Sequence, residues 1–147
     1  MSGLFIKPSD EIKIVFYTVL GPDEELHCNV DKKELLKIEG AKEEAIKEHG
    51  IVFRMPNYKD NVETFGKAVK IEGDNVQVDP IALRYMRFCT LLKSWTFKDD
   101  NEKSIPPDPR FINELNPILA GLILDELQTL NRQLQYITEA QLWVVLR

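Results

Sequence analysis

The pattern of apolar and polar positions predicts strands in the first half of the chain. Residues 11–20, EIKIVFYTVL, are rich in β-branched and aromatic residues and lie between turn residues, which is typical of a strand. GPDEE then predicts a turn, and LHCNV a returning strand that completes a hairpin. A further strand is predicted for IVFRM, which Pro56 ends, and a short one after the turn Gly73-Asp74-Asn75.

Two short helices are predicted between these strands. In DKKELLKIEG, Asp31 is a candidate N-cap, Glu34 follows three residues later and Gly40 ends the helix. The next ten residues, AKEEAIKEHG, repeat this order and predict a helix ending at Gly50, with His49 in the last turn, where positive charge suits the helix dipole. Helices this short need the sheet for stability. Residues 57–73 fit either a short helix or an irregular strand.

The second half has the spacing of helices. Asp79-Pro80 is an N-cap followed by a proline whose missing N–H costs nothing in the first turn. Arg84, Arg87 and Lys93 are predicted on the surface of this helix. Its apolar stripe is predicted to comprise Ile81, Tyr85, Phe88, Leu92 and Trp95, which places Trp95 at the helix end before the acidic turn KDDNEKSIPPDP.

Two further cap-proline pairs follow the acidic turn. Asp108-Pro109 predicts a short helical turn, and Asn116-Pro117 opens a long helix. The buried seam of the long helix is predicted to be Leu119, Ile123, Leu127, Leu130 and Leu134. Leu122 and Leu124 widen this apolar surface, which indicates two packing partners, and a last segment, TEAQLWVVL, begins at Thr138.

These elements predict one α+β domain, residues 1–147. Its strand-rich N-terminal half with short helices, residues 1–78, is expected to pack against a C-terminal helical hairpin or small helical bundle, residues 79–147. The net charge of -5 is divided almost evenly between the halves, so no basic surface indicates nucleic acid. No apolar run approaches the ~20 residues of a membrane span, and the N-terminus lacks a signal-peptide core. A cytoplasmic protein without membrane contact is therefore expected.

Residues able to carry chemistry are few. The two cysteines, Cys28 and Cys89, do not make a disulfide framework and favour a reducing compartment. The two histidines and two cysteines do not supply the roughly four clustered ligands of a zinc site, and no base is placed beside a nucleophile. Phosphate-binding glycine motifs are absent, and DDNE fails the calcium-loop pattern. The sequence thus predicts no catalytic, cofactor or metal site and no enzyme. The alternative is a small cytosolic enzyme or a regulatory binding module whose site is built from residues such as Arg54, Tyr58 and Arg87.

Apolar surface is the remaining indication of function. The long apolar helix and the terminal residues WVVL offer more apolar surface than a domain of this size easily buries. Large exposed apolar patches mark association sites. The candidate interface residues are Trp95, Phe97, Leu122, Leu124, Trp143, Val145 and Leu146.

Residues 83–127 resemble a C-terminal module of small proteins encoded in the tail gene clusters of tailed bacteriophages. The module consists of a helix, Ser-Trp, a hydrophobic residue, an acidic turn, a proline and a spaced Ile, Leu and Pro leading into a long helix. The matching residues are Ser94, Trp95, Phe97, Asp99, Asp100, Pro106, Ile112, Leu115 and Pro117. Glu102 stands near the place of the usual glycine, which predicts a turn of different shape.

The resemblance implies a protein without enzymatic activity that works in tail morphogenesis, similar to a tail assembly chaperone. It implies other phage tail or virion proteins as partners, with a homo-oligomer as a further option, and a location in the host cytoplasm during assembly. A structural subunit of the virion, in the tail, neck, adaptor or capsid decoration, is the alternative.

Overall fold

The computed structural model describes residues 4–130 and has α+β architecture. The strands are β1 (Glu11–Leu20), β2 (Leu26–Asn29), β3 (Lys47–Arg54), β4 (Val69–Glu72), β5 (Asn75–Val78) and β6 (Leu92–Trp95). The helices are α1 (Lys32–Leu36), α2 (Tyr58–Ala68), α3 (Pro80–Leu91), α4 (Pro109–Ile112) and α5 (Pro117–Leu130).

The main sheet is antiparallel, with strand order β2-β1-β3-β6. In its central ladder Ile12 is opposite Phe53 and Ile14 is opposite Ile51, so these four side chains share one face. Lys13 and Val15, the sequence neighbours of Ile14, point to the other face and are exposed. Strands β4 and β5 form a separate hairpin.

The core lies between one face of the main sheet and helices α3, α4 and α5. Its buried residues are Ile12, Ile14, Phe16, Ile51, Phe53, Phe88, Leu91, Ile112, Leu119, Ile123 and Leu127. The rings of Phe53 and Phe88 meet edge to face, with centroids 5.4 Å apart. A smaller cluster of Phe65, Ala68 and Leu83 joins α2 to α3. Because β6 comes from the second half of the chain, the sheet takes strands from both halves.

The predicted helix over residues 41–50 is wrong. Only Glu43–Ala45 forms a single 3₁₀ turn, and Lys47 already belongs to β3. Most of the residues are good helix formers, but residues 47–50 belong to β3, which pairs with β1 at eight consecutive positions, Glu11 to Thr18. Long-range pairing therefore overrides local helix propensity. His49 consequently lies on a strand rather than in a helical turn.

The two readings of residues 57–73 are resolved in favour of a helix followed by a strand. Asn57 accepts a hydrogen bond from the backbone N–H of Asp60, and the Asp60 carboxylate accepts one from the N–H of Asn57. This capping box begins α2, and the chain then continues into β4.

Several burial predictions for the helices are also wrong. Helix α3 ends at Leu91, and Leu92–Trp95 turns into the sheet as β6. Ile81 is 80% exposed and Tyr85 is exposed, whereas Arg87 is buried, since α3 packs on α2 as well as on the core. In α5, Leu119, Ile123 and Leu127 are buried as predicted, but Leu130 is 52% exposed. Leu134 and Thr138 lie outside the described residues.

Candidate functional site

An apolar groove of about 280 Å³ lies between α3 and α5. Its α3 wall carries Ile81 and Tyr85, and its α5 wall carries Pro117, Gly121 and Leu124. Phe88 and Ile112, both buried core residues, lie at its base. The groove is therefore a place where the apolar interior reaches the surface between two helices.

The cap-proline pairs Asp79-Pro80 and Asn116-Pro117 position the walls of the groove. The Asp79 carboxylate accepts hydrogen bonds from the backbone N–H groups of Ile81 and Ala82, which fixes the first turn of α3. The Asn116 side chain accepts from the N–H of Ile118 at 2.9 Å and fixes the start of α5. These local caps predict where each helix begins, although they do not predict which side chains face the groove.

Gly121 leaves a gap in the α5 wall. A Cβ atom added to Gly121 would have no heavy atom within 4 Å outside its own helix and chain neighbours. Glycine inside a helix costs roughly 0.5–1 kcal/mol relative to alanine. No contact among the described residues requires a glycine at this position, so the surface above Gly121 is open.

Polar groups stand at the rim of the groove and are paired within the chain. Arg84 lies with its Nη2 atom 2.9 Å from Asp125 Oδ1, and the Tyr85 hydroxyl donates to Asn113 Oδ1 at 2.6 Å. The Arg84–Asp125 pair is solvent-exposed, so its contribution to stability is small. The groove thus offers apolar surface bordered by charge.

The predicted interface residues Trp95 and Phe97 belong to an aromatic cluster at the edge of the core. Trp95 Nε1 donates to the carbonyl of Ile105 at 2.5 Å, and the Trp95 and Phe97 rings are 4.9 Å apart. Phe97 also contacts the ring of Phe16 and that of His49, with centroids 5.9 and 5.5 Å away. Both predicted residues are half-buried, so their first role is to pack the domain.

The other predicted interface residues are separated. Leu124 lines the α3–α5 groove, while Leu122 packs on the core. Trp143, Val145 and Leu146 lie outside the described residues. Sequence reasoning missed Gly121 and Ile81 as groove residues. A glycine in the middle of an apolar helix was the one signal that could have directed attention to this wall.

The surroundings of His49 differ from the helical turn predicted for it, because His49 lies on β3. Its Nε2 atom is 2.8 Å from Thr18 Oγ1, and its ring stacks on Phe16 with centroids 5.4 Å apart. Burial lowers the pKa of His49, and the nearby charge of Lys47 lowers it further. His49 is thus a neutral packing residue at neutral pH.

The residues of the alternative enzymatic pocket are engaged in structural contacts or exposed. The Arg54 guanidinium donates to both Asp60 oxygens, at 2.8 and 3.0 Å, and to the carbonyl of Thr90. Arg87 lies over the Phe65 ring, and burial lowers its pKa to about 10. Tyr58 is 79% exposed. Arg54 and Arg87 thus make contacts within the domain, whereas Tyr58 is exposed.

Residues 4–130 were considered for metal-ligand clusters and for reactive thiols. Over that range no group of three or more His, Cys, Asp or Glu side chains is placed to hold a metal ion. Cys28 and Cys89 are free thiols, and burial raises the pKa of Cys28. None of the helices in the same part of the chain is long and apolar enough to cross a membrane.

The residues on which the sequence resemblance rests lie between β6 and the start of α5, and two of them, Ile112 and Pro117, line the groove. Ser94 and Trp95 lie on β6, and the acidic turn is closed by a hydrogen bond from the Asp99 N–H to the Lys103 carbonyl. Glu102 has a φ of 62°, the left-handed region that glycine adopts without steric cost. Comparisons of the chain with protein-family models, curated proteins and solved structures find no match.

Proposed function

We propose that the protein is a non-enzymatic bacteriophage tail-morphogenesis protein, similar to a tail assembly chaperone. It binds an apolar helical segment of another tail protein in the α3–α5 groove. The observation that carries the proposal is the groove itself, whose walls and base are apolar and whose rim charges, Arg84 and Asp125, already pair with each other.

The shape of the groove favours a helix as its ligand. Two helical walls and an apolar base suit an amphipathic helix that inserts side chains spaced at i, i+3 and i+4. The volume of about 280 Å³ lies just below the ~300–1,000 Å³ of small-molecule pockets. Gly121 allows the backbone of such a helix to approach α5. The Ile81 side chain, which is exposed, would bury the most apolar surface when the helix binds.

The phage-like module supports the tail assignment because it builds the scaffold of this groove. Ile112 lies at its base and Pro117 on its α5 wall. Trp95, through its bond to the Ile105 carbonyl, ties the loop before α4 to β6. The residues that carry the resemblance and the surface proposed to bind the partner thus belong to one unit.

Co-purification with the products of the neighbouring genes tests the proposal. A tape-measure gene next to this one would supply the first partner to assay. Ile81→Asp is expected to weaken binding by about 2 kcal/mol or more, roughly thirtyfold, without unfolding the protein, because Ile81 is 80% exposed. Ile71→Asp is the matched control, since Ile71 is 73% exposed on the β4–β5 hairpin. Equal binding by the two variants would contradict the proposed surface.

Mass spectrometry of purified phage particles separates the two forms of the proposal. A tail assembly chaperone is absent from mature particles. Presence at a stoichiometric copy number would instead assign the protein to the virion as a structural subunit.

A further inference from the structure

The outer edge of β2 is open in the described part of the chain. Within residues 4–130, β2 pairs with β1 and with no other strand. We propose that this edge binds an extended, basic segment of a partner protein, which adds to the main sheet as a further strand. The surface is separate from the α3–α5 groove, and the inference does not rest on the proposed function.

The hydrogen bonds of the first hairpin show which backbone groups lie at the open edge. Gly21 donates its N–H to the Glu25 carbonyl at 2.8 Å, and hydrogen-bonded pairs alternate from there along the antiparallel ladder. His27 therefore bonds to β1, whereas the N–H and C=O groups of Leu26 and Cys28 point away from it. Among the described residues no backbone hydrogen bond engages these outward groups. They are thus available to an added strand.

A cleft of about 760 Å³ follows this edge. All of β2 lines it, together with Leu35 and Ile38 of α1 and Ile118 at the start of α5. The side chains of a strand alternate between its two faces, so an added strand would place apolar side chains against these walls. A strand as long as β2 spans about 13 Å, which suits a short extended segment.

The charges at the rim of the cleft favour a basic segment. Glu24, Glu25 and Glu34 line the cleft and are exposed, and the described lining residues include no lysine or arginine. Glu34 pairs with Lys37 at 2.9 Å. Glu24 and Glu25 make no ion pair with the described residues. Lysine or arginine side chains on an added strand would therefore meet carboxylates that are not yet paired.

The same charges disfavour a second copy of this chain as the occupant. Pairing β2 with its equivalent would bring both sets of rim carboxylates to one edge of about 13 Å, close to the Debye length of ~10 Å at 0.1 M salt. The net charge of -5 on each copy adds repulsion. Charged side chains beside an edge strand commonly prevent such self-pairing. A basic strand turns this repulsion into attraction.

Binding of a synthetic peptide to the purified full-length protein tests the inference. The probe is a fluorescein-labelled heptapeptide of alternating lysine and valine, and the same peptide with glutamate in place of lysine is its control. Fluorescence anisotropy is expected to show saturable binding of the lysine peptide alone, and this binding should weaken as salt rises.

Two double variants show whether the rim carboxylates are responsible. Glu24→Gln/Glu25→Gln should raise the Kd of the lysine peptide about fivefold or more, because two charge contacts are lost. Glu63→Gln/Glu72→Gln removes the same charge from exposed positions on α2 and β4 and should change Kd less than about twofold. No binding of the lysine peptide, or an equal loss of affinity in both variants, would overturn the proposal.

Amide hydrogen exchange identifies the backbone groups that bind. With the lysine peptide at saturation, exchange at Leu26 and Cys28 is expected to slow at least about tenfold. Exchange at His27 and Asn29, whose N–H groups face β1, should slow no more than exchange within β1. Protection without this alternation would contradict strand addition. Protection of Leu26 and Cys28 that rises with protein concentration, without peptide, would assign the edge to a second copy and overturn the proposal. Ile81 takes no part in these measurements, so their failure leaves the test of the α3–α5 groove intact.

Discussion

Replacing Asp60 by alanine should show how much the contact between β3, α2 and α3 contributes to stability. Asp60 accepts two hydrogen bonds from Arg54 and one from the N–H of Asn57, and its side chain is 10% exposed. Through its other bond, Arg54 reaches the carbonyl of Thr90 at the end of α3. One carboxylate thus caps a helix and orients the guanidinium that joins three elements.

The expected loss can be estimated from these contacts. Breaking a fully buried ion pair costs about 3–5 kcal/mol. Arg54 is 35% exposed and can regain water, so a lower value of about 2–3 kcal/mol is expected for Asp60→Ala. In a chain of 147 residues this lowers the melting temperature by roughly 6–10 °C.

Thermal and urea denaturation beside a matched control would test this value. Glu63→Ala removes a carboxylate of the same helix whose partner, Lys59, is 3.9 Å away on the surface, and it should cost less than about 0.5 kcal/mol. If the two variants lose equal stability, the network around Asp60 does not hold the three elements together.

The acid dependence of stability gives the same test an independent readout. Burial raises the pKa of Asp60, but the hydrogen bonds from Arg54 and Asn57 outweigh burial and hold the pKa below its ordinary value of 3.8. In the window between the folded pKa and 3.8 the unfolded chain therefore binds more protons. The stabilisation is complete above this window and is lost as pH falls through it, and Asp60→Ala should remove that part of the acid sensitivity.

Three further substitutions have defined outcomes. Because the pKa of His49 in the folded protein lies below 6.5, the wild-type protein should lose stability as pH falls below 6.5. Urea titrations at pH 7.5 and 5.5 should show a smaller loss of stability for His49→Gln. An equal loss in the two proteins would contradict the burial of His49 in its neutral form. Glu102→Gly should stabilise the acidic turn by about 0.5–1 kcal/mol because φ is 62° there, and a lower melting temperature would refute the strain. Trp95→Ala should cost about 2–4 kcal/mol of stability, since Trp95 packs on Phe97 and the core, and a variant that melts like wild type would return Trp95 to the interface candidates.

Local chemistry in the sequence predicts the starts of the helices well. Asp31, Asp79, Asp108 and Asn116 each accept a backbone hydrogen bond as N-caps, because a cap depends on residues two or three positions away. The α+β class and the first hairpin are predicted for the same reason, from patterns that each lie within about ten residues.

Features that depend on distant parts of the chain could not be predicted. Residues 41–48 are mostly good helix formers, and pairing with β1 makes the segment from Lys47 onward a strand. Ile81 is exposed because another side of α3 packs on α2. The groove depends on the distance between α3 and α5, and Arg84 and Asp125, which join these two helices, are 41 positions apart in sequence. Helical spacing identifies an apolar stripe but does not identify its partner.

Photo-cross-linking during co-expression with the products of the neighbouring genes tests the proposed binding surface most directly. With the benzophenone at Ile81, we predict a cross-link to an apolar helical segment of one of these proteins, and no such product with the benzophenone at Ile71. Partner cross-links from position 71 alone, or from neither position while the proteins still co-purify, would contradict the claim that the α3–α5 groove is the binding surface.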